Sequence, residues 1–352
     1  MSYFLNNIDA MNAYVPGEQP RDGQKVIKLN TNENPYPPSP AVADALLNFD
    51  IADLRAYPNP MAERFRQAVA KALNVPADWV LPGDGSDDLI AMIARACLSS
   101  TKSVVYPVPT FTFYETQGLL QDAKIVEVPM NEDFSLPTDE LIKAAGDVTF
   151  IANPNSPTGV AADNTELRRL ADGLSGILVI DEAYGDFADD NALELVKEYE
   201  NVIVLRTLSK SYAMAGIRLG FGLTQPAIMD GLLKTKAIYN VGGIPAALGA
   251  AAVGDQDYMK ASAEKIKASR KTLTSQLEAI GFKVLPSQAN FLLAAVAEGQ
   301  DAGEVFNALK ARGIFVRYYN QPRLADKLRI TIGTPEENAA LVAALSHGEI
   351  VG

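Results

Sequence analysis

The strongest constraint on the fold of this chain is a series of short apolar runs, rich in β-branched residues, between residues 103 and 205. Helical or irregular segments separate the runs. This alternation is typical of a mostly parallel β-sheet that is covered by helices on both faces. The runs are 103–107, 123–128, 147–152, 176–180 and 202–205. Because ligands of such sheets bind beyond the carboxyl ends of the strands, the residues that follow each run are the first candidates for a functional site.

The length of the chain, 352 residues with 48% hydrophobic residues, allows two domains. We expect a large α/β domain over residues 35–245, containing the sheet. We expect residues 1–34 and 246–352 to form an N-terminal arm and a smaller α+β domain. The expected helices of these parts are 41–49, 61–73, 225–240, one long helix over 245–277, 301–312 and 335–346. The expected strands of the small domain are 282–285, 290–294 and 327–332.

The charge of the chain argues against several classes of partner. The formal net charge of −12 disfavours binding to nucleic acid or to an anionic membrane, because both need a basic surface. The first residues resemble no secretory signal, and no apolar stretch approaches the length of a membrane span. The sequence therefore predicts a soluble cytoplasmic protein.

The chain has one cysteine, Cys97, and one histidine, His347. This scarcity disfavours cysteine hydrolases, zinc sites and Ser-His-Asp triads, and we expect no metal. Cys97 lies in an apolar helical pattern, so we interpret it as a buried structural thiol. Acid–base chemistry is left to Lys, Tyr, Asp or Glu side chains.

Polar clusters follow four of the predicted strands, at 109–111, 153–159, 181–184 and 209–210. A further turn at 80–90 leads into the Cys97 helix, with Ser86 or Asp87 as a suitable N-cap, and the free amides of such a helix start can bind an anion. Any one cluster alone is compatible with ordinary turns and caps. Their convergence on one edge of a sheet points to a site.

Lys210 lies in a polar turn between two apolar runs, and Arg218 follows eight residues later. A single lysine in a loop is most often solvated. A lysine beside a fixed cation, however, suits a site for a carbonyl compound that carries an anionic group. If that compound is an aldehyde cofactor with a pyridine ring, Asp181 can pair with the ring nitrogen and Phe111 can stack on the ring. The candidate donors for its other oxygens are Tyr184, an Asn beside Pro157, Ser86, Ser209 and Arg218.

This set of motifs resembles the fold-type I pyridoxal-phosphate aminotransferases and, within them, the histidinol-phosphate aminotransferase group. The fold that this implies is an α/β fold-type I transferase, with a mostly parallel mixed sheet sandwiched by helices and a smaller α+β domain. The matching motifs are 30–35, 83–87, 153–159, 181–184, 206–210 and 328–333.

The resemblance implies a role for each of several residues. Lys210 is the Schiff-base lysine, Asp181 the partner of the pyridine nitrogen and Tyr184 the ligand of the ring oxygen. The phosphate is held by Ser86, Asp87 (through its backbone), Ser209 and Arg218. Tyr57 resembles the tyrosine that reaches the neighbouring subunit's cofactor, which implies a homodimer. The residues implied for substrate binding are Arg329, Arg317, Tyr14, Asn32 and Glu33.

Two positions depart from the usual pattern of the group. The family has Asn directly before Pro-Thr-Gly, where this chain has Ser156, so either Asn155 shifts or Ser156 substitutes as the donor. The ring-stacking position, often Tyr in the group, is Phe111, which keeps the ring and lacks the hydroxyl.

The implied reaction is a transamination between L-histidinol phosphate and 2-oxoglutarate, in which Lys210 is both tether and general acid–base catalyst. Three alternatives stay open. One is an aromatic amino acid aminotransferase of the same group, and another is a phosphothreonine decarboxylase-like lyase, which needs the same lysine. The third, a catalytically silent binding protein, is disfavoured by the intact Lys210, Asp181 and Arg218.

Overall fold

A computed structural model describes residues 2–13 and 17–346 of the chain. The strands are β1 (Ile27–Lys28), β2 (Val80–Gly83), β3 (Ser103–Val108), β4 (Lys124–Pro129), β5 (Val148–Ala152), β6 (Ile177–Asp181), β7 (Val202–Thr207), β8 (Gly220–Leu223), β9 (Lys283–Val284), β10 (Phe291–Ala295), β11 (Ile314–Phe315), β12 (Arg317–Tyr318) and β13 (Lys327–Thr331). The α-helices are α1 (Asn6–Ala10), α2 (Pro40–Leu47), α3 (Glu63–Leu73), α4 (Gly85–Cys97), α5 (Phe113–Leu120), α6 (Thr138–Ala144), α7 (Asn164–Gly173), α8 (Leu195–Glu198), α9 (Pro226–Thr235), α10 (Gly243–Gly254), α11 (Gln256–Ala279), α12 (Ala302–Ala311) and α13 (Pro335–Ser346). Within these residues, no helix combines the length and the apolar character that crossing a membrane requires.

The large sheet has seven strands in the order β2-β8-β7-β6-β5-β3-β4. β8 is antiparallel to both of its neighbours, and the other pairs are parallel. Alternate residues of the central strands enter two separate apolar clusters. In β6, for example, Leu178 and Ile180 pack on one face and Val179 on the other. Both faces of the sheet are therefore buried, and the predicted α/β class with a mostly parallel mixed sheet is confirmed.

The reversed direction of β8 brings the predicted phosphate-binding residues to one edge of the sheet. Gly220, the first residue of β8, lies opposite both Gly83 at the end of β2 and Thr207 at the end of β7. Strand β8 therefore begins at the edge where the parallel strands end. Arg218 precedes β8 by two residues, so it is placed beside the start of α4 and the turn that follows β7.

A second sheet of four antiparallel strands, β12-β13-β10-β9, is covered by α11, α12 and α13 around its own apolar cluster. The N-terminal segment joins this part through β1, which pairs in parallel with β11. Leu29, directly after β1, is buried in the same cluster, and its carbonyl accepts a hydrogen bond from the Thr331 amide at 2.9 Å. These contacts carry residues 30–34 across the carboxyl edge of the large sheet.

The single long helix predicted over 245–277 is wrong, because the structure has two helices, α10 and α11, that meet at Asp255. The carboxylate of Asp255 caps α11 by accepting from the Tyr258 amide, and it also accepts a hydrogen bond from Ser39. A carboxylate at a helix N-terminus is favourable, whereas within one continuous helix it would meet no free amides. The break lets α10 pack on α2 and α3 while α11 covers the small sheet.

Two other predicted boundaries need correction. The helix expected over 225–240 ends at Thr235, because the Lys236 amine donates to the carbonyls of Ala237 and Ile238, which a continuing helix would use internally. The turn expected at 80–90 is confined to Asp84, since residues 80–83 form β2. Helix α4 consequently begins at Gly85, and its N-cap is Asp84 rather than Ser86 or Asp87.

Candidate active site

A cavity of about 610 Å³ lies at the carboxyl edge of the large sheet and extends to the small sheet. It is lined by the segments that follow five strands, β2, β3, β5, β6 and β7. Four of these strand ends were predicted to form the site, and the end of β2 is the fifth. The structure brings most of the predicted site residues together here. Those that line the cavity are Asn32, Glu33, Ser86, Asp87, Phe111, Ser156, Asp181, Tyr184, Ser209, Lys210, Arg218, Arg317 and Arg329.

Lys210 reaches the cavity from the turn after β7. Its amine donates to the Thr31 carbonyl at 3.2 Å and lies 5.7 Å from the centre of the Tyr184 ring. The side chain is partly buried, and no carboxylate of the described residues forms an ion pair with it. An amine held by one carbonyl and an aromatic ring is free to react with a carbonyl compound in the cavity.

Asp181 ends β6 and is buried at the base of the cavity. Its carboxylate accepts hydrogen bonds from the Tyr114 hydroxyl at 2.9 Å and from the Ala183 amide at 3.1 Å. Burial raises the pKa of Asp181 to about 6, and the two hydrogen bonds oppose that rise. A buried carboxylate of this kind favours a cationic partner that enters from the cavity.

Arg218 supplies a fixed cation beside the start of α4. Its guanidinium pairs with the Asp87 carboxylate at 3.0 Å and donates to the Ser209 hydroxyl at 3.3 Å. Gly85 (φ +76°) makes room for this arrangement, since a Cβ there would lie 2.5 Å from an Arg218 nitrogen. Ser86 is in the first turn of α4, where backbone amides have no helical partner. The region thus combines amides, hydroxyls and an arginine, which is a typical set of donors for a phosphate.

The two aromatic residues of the prediction lie on the cavity wall. The Tyr184 hydroxyl accepts a hydrogen bond from the Asn32 amide at 2.8 Å, and its ring meets Phe291 edge to face at 5.0 Å. Phe111 follows β3 and packs edge to face on the Tyr114 ring, with centroids 5.6 Å apart. Both rings are therefore fixed by neighbouring side chains, and both also line the cavity where a ligand could contact them.

Arg317 and Arg329 approach the cavity from the small sheet, where they lie opposite each other on β12 and β13. Arg329 donates to the Ser156 hydroxyl at 3.1 Å and to the Asn30 carbonyl at 2.9 Å. Its Nε is buried and, among the described residues, has no hydrogen-bond partner. Its guanidinium also lies over Phe291 at 5.3 Å. A desolvated, pre-oriented guanidinium with an unused donor is suited to an anionic substrate group.

Glu33 lines the cavity but is already paired with Lys28, whose amine lies 2.6 Å from its carboxylate. Burial acts to raise the pKa of Glu33, but the hydrogen bonds from Lys28 and Thr31 outweigh it, and the pKa is lowered. Glu33 is therefore an ionised wall residue at neutral pH. Its charge favours a substrate with a neutral or cationic group at this point.

Three predicted residues are not part of this cavity as described. Asn155 is buried beside it, with its side chain bound to Thr110 at 3.1 Å and to the Thr158 hydroxyl at 2.9 Å, while Ser156 faces the cavity. Tyr57 is exposed on the outside of the chain and stacks on Tyr239 at 4.6 Å. Tyr14, like His347, lies outside the described residues.

Sequence reasoning missed two features of the site. One is Tyr114 in α5, which donates a hydrogen bond to Asp181 and for which the sequence offers no clear signal. The other is a buried charge cluster beneath the Lys210 turn. The Nε atom of Arg206, near the end of β7, lies 2.9 Å from the Glu182 carboxylate and forms an ion pair with it without hydrogen-bond geometry. The guanidinium of Arg206 also donates a hydrogen bond to Asp186. Asp186 also accepts from Ser211, directly after Lys210, so the cluster anchors the turn that carries the lysine.

Comparisons with known proteins agree with this geometry. Residues 24–345 match the family model described as aminotransferase class I and II. The chain therefore belongs to the class I and II aminotransferases, and the predicted class of enzyme is confirmed. It is 52% identical to histidinol-phosphate aminotransferase 1 of Trichormus variabilis, over 98% of each chain. It is 39% identical to the histidinol-phosphate aminotransferase of Citrifermentans bemidjiense, over 96% of each chain.

A solved structure supports the same assignment of the fold. The histidinol-phosphate aminotransferase of Sinorhizobium meliloti, in complex with pyridoxal-5'-phosphate, superposes with a TM-score of 0.89 at 27% identity, over 98% of this chain and 97% of that one. The predicted resemblance to fold-type I aminotransferases and to the histidinol-phosphate aminotransferase group is thus confirmed.

Proposed function

We propose that this chain is a pyridoxal-phosphate-dependent aminotransferase of histidine biosynthesis. It transfers the amino group of L-histidinol phosphate to 2-oxoglutarate, giving imidazole-acetol phosphate and glutamate. The observation that carries the proposal is one cavity in which Lys210 and Asp181 lie with Arg218 from the large sheet and with Arg317 and Arg329 from the small sheet. Two separate groups of cations suit a cofactor phosphate and a substrate anion.

The residues present fit the cofactor. Asp181 is a buried carboxylate that forms no ion pair within the described residues, and a protonated pyridine nitrogen would supply the missing positive partner. The phosphate would lie in the space beside Gly85. It would be held there by the backbone amides of Ser86 and Asp87 and by the side chains of Ser209 and Arg218. Bound there, pyridoxal phosphate supplies an aldehyde that condenses with amines and a ring that accepts an electron pair from the substrate carbon.

Lys210 has two tasks in this proposal. Its amine would hold the cofactor through the aldehyde in the resting enzyme. Once a substrate amine has replaced it there, the freed Lys210 amine would take a proton from the substrate carbon and deliver it to the cofactor carbon that carried the aldehyde. The Thr31 carbonyl accepts a hydrogen bond from this amine and keeps it in the cavity. The Tyr184 hydroxyl accepts from Asn32, so its own O–H would be available to donate a hydrogen bond to the ring oxygen of the cofactor. We assign the second donor to that oxygen to Ser156, because the Asn155 side chain is already engaged by Thr110 and Thr158.

Arg329 and Arg317 receive the anionic end of each substrate, the phosphate of L-histidinol phosphate and the distal carboxylate of 2-oxoglutarate. A planar guanidinium can bind either group with two parallel hydrogen bonds. Asn32 and Glu33 line the same cavity from the N-terminal segment. The ionised Glu33 would favour an imidazole over a second acidic side chain. Tyr14 stays a predicted substrate contact.

The active form in this proposal is a homodimer that shares its active sites. Tyr57 is 82% exposed and stacks on the exposed ring of Tyr239. Other large apolar side chains near these two in sequence are exposed as well, and we take them together as one apolar patch that a second copy would cover. The members of this patch are Leu46, Leu47, Ile51, Leu54, Tyr57, Ile238 and Tyr239. A second copy covering the patch would bring Tyr57 to the cofactor phosphate of the partner.

The domain division is also part of the proposal, with one adjusted boundary. Ala246, Leu248, Ala252 and Val253 of α10 belong to the apolar cluster of the large sheet. We therefore place the end of the cofactor-binding domain at Asp255 rather than at residue 245, with residues 1–34 joining the smaller domain. A cytoplasmic location completes the proposal.

The proposed reaction is tested by steady-state turnover with 2-oxoglutarate and a panel of donors. L-Histidinol phosphate should give glutamate with the highest kcat/KM. If phenylalanine or tyrosine is the better donor, the assigned substrate is wrong, and the assignment to the aminotransferases still holds. Release of carbon dioxide from O-phosphothreonine without glutamate would favour a lyase.

A further inference from the structure

Tyr114 connects two residues that are proposed to hold the cofactor ring. It lies in α5, is completely buried, and lines the base of the cavity. Its hydroxyl donates to Asp181 at 2.9 Å, while its ring meets Phe111 edge to face at 5.6 Å and an interplanar angle of 87°. On its other side the ring stacks on Phe150 of β5, with centroids 4.7 Å apart and planes within 9°. The Tyr114 side chain therefore has one available position.

We propose that Tyr114 is a positioning residue of this site, which keeps Asp181 ionised and aimed into the cavity and holds Phe111 at the angle needed to stack on the cofactor ring. This inference rests on the proposed function, because both partners act through the bound cofactor. Tyr114 itself acts through Asp181 and Phe111.

The charges that face Asp181 explain why this hydrogen bond matters. Burial and the Asp87 carboxylate from α4 both disfavour the ionised form. The Tyr114 hydroxyl from α5, the Ala183 amide and the Lys210 amine from the turn after β7 favour it. The balance leaves the pKa of Asp181 at about 6, close below neutral pH. Loss of one hydrogen-bond donor would raise the pKa of Asp181 toward neutral pH, so that more of the carboxylate would be protonated there.

Tyr114 can serve as a donor across the whole working range. Burial, together with the charge of Asp181, raises the pKa of the Tyr114 hydroxyl well above its ordinary value. The proton of this hydrogen bond therefore stays on the tyrosine. Asp181 accepts hydrogen bonds from Tyr114 and from the Ala183 amide, and its remaining lone pairs can accept a third from a ring nitrogen.

The chain offers a matched control in Tyr106. It lies in the same aromatic cluster, 6.3 Å from Tyr114 between ring centroids, and it is also buried. Its hydroxyl has no hydrogen-bond partner among the described residues. Tyr106→Phe and Tyr114→Phe thus each remove one buried hydroxyl from one cluster, and only the second removes a hydrogen bond to Asp181.

The experiment measures the affinity of the cofactor-free protein for pyridoxal phosphate from pH 5 to 9, by fluorescence titration, for the wild type and both variants. A parallel titration uses an analogue with carbon in place of the ring nitrogen. We expect Tyr114→Phe to weaken pyridoxal phosphate binding about tenfold at pH 7 and to shift the midpoint of its pH dependence upward. The analogue should bind alike to all three proteins, because it offers Asp181 no proton.

Two outcomes would overturn the inference. Equal losses for pyridoxal phosphate and the analogue would mean that Tyr114 acts only in packing, and an unchanged pH midpoint would mean that it does not control Asp181. If Tyr106→Phe weakens binding as much as Tyr114→Phe, the hydrogen bond from Tyr114 to Asp181 is not the cause of the effect. A wild-type protein that binds no pyridoxal phosphate would instead contradict the proposed function. Far-ultraviolet circular dichroism checks that both variants are folded.

Discussion

The side-chain amide of Asn32 donates a hydrogen bond to the Tyr184 hydroxyl at 2.8 Å, and this bond joins the N-terminal segment to the end of the large sheet. Asn32 has a left-handed backbone (φ 57°) and is fixed by Thr331 and Asn290 of the small-sheet region. One asparagine thus connects three parts of the chain at the active site. The position of the Tyr184 hydroxyl depends on all three.

Asn32→Gly keeps the left-handed backbone and removes only the side chain. We expect kcat to fall about three- to tenfold, because the Tyr184 hydroxyl loses a typical neutral hydrogen bond. Steady-state kinetics measures the change, and the same substitution in a Tyr184→Phe background serves as the control. The effect should shrink in that background. Equal effects in both backgrounds would mean that Asn32 does not act through Tyr184.

Asp181 is expected to make the cofactor-free protein less stable as the pH rises. Its folded pKa of about 6 lies above the ordinary 3.8, so the folded state holds a proton that the unfolded state has lost between these values. The free energy of unfolding should therefore fall by about 2 kcal/mol from pH 4 to pH 7 through this group. Asp181→Asn should remove that loss and unfold at higher urea concentration at pH 7, while losing turnover.

Urea denaturation of both cofactor-free proteins at several pH values tests this expectation. Added pyridoxal phosphate should stabilise the wild type much more than the Asn variant, because only the carboxylate pairs with a ring cation. An Asn variant that is less stable than the wild type at pH 7 would contradict the assigned cost of burying the Asp181 charge.

Gly85→Ala should weaken cofactor binding through Arg218. The added Cβ would lie 2.5 Å from an Arg218 nitrogen, and the residue would adopt φ +76°, which Ala disfavours. We expect the dissociation constant of pyridoxal phosphate to rise tenfold or more. Gly216→Ala is the control, because it lies in the same region with no heavy atom within 4 Å of the new Cβ. Equal affinities of the two variants would argue against a phosphate site beside Gly85.

The proposed dimer is tested at its apolar patch. Leu47 is 83% exposed and Ile51 is 78% exposed, and in the proposed dimer a second copy covers both. The double variant Leu47→Asp with Ile51→Asp would therefore place two charges in the interface. Sedimentation should show a monomer at micromolar concentration, with reduced cofactor affinity because Tyr57 of the partner is lost. Leu120→Asp is the control on another exposed apolar residue. A double variant that stays dimeric would place the interface elsewhere.

The sequence predicted best those candidate site residues that lie at the ends of strands. Asp181, Lys210 and Phe111 each follow or end a recognisable apolar run, so the topology of a parallel sheet placed them correctly at one edge. Arg218 belongs with them because β8 runs antiparallel to its neighbours and begins at the same edge, which the pattern of apolar runs did not indicate. Residues whose position depends on distant contacts could not be predicted in this way.

Tyr114, Asp255 and Ser156 illustrate the limit. Tyr114 lies on a short helix without a strong periodic pattern, and its role depends on Asp181, 67 residues away. The break at Asp255 depends on a hydrogen bond from Ser39, 216 residues away. Ser156 and Asn155 are neighbours in one turn, and only the turn's path decides which side chain faces the cavity.

The most direct test of the central claim is the absorbance spectrum of the cofactor-loaded protein, before and after L-histidinol phosphate is added without a keto acid. We predict that the long-wavelength band of the bound aldehyde gives way to the shorter-wavelength band of the amine form, and that 2-oxoglutarate restores it. Lys210→Ala should be folded and should show less than a tenth of wild-type turnover. A protein that forms no band with added cofactor, or whose Lys210→Ala variant turns over at a tenth of the wild-type rate or more, would contradict the account.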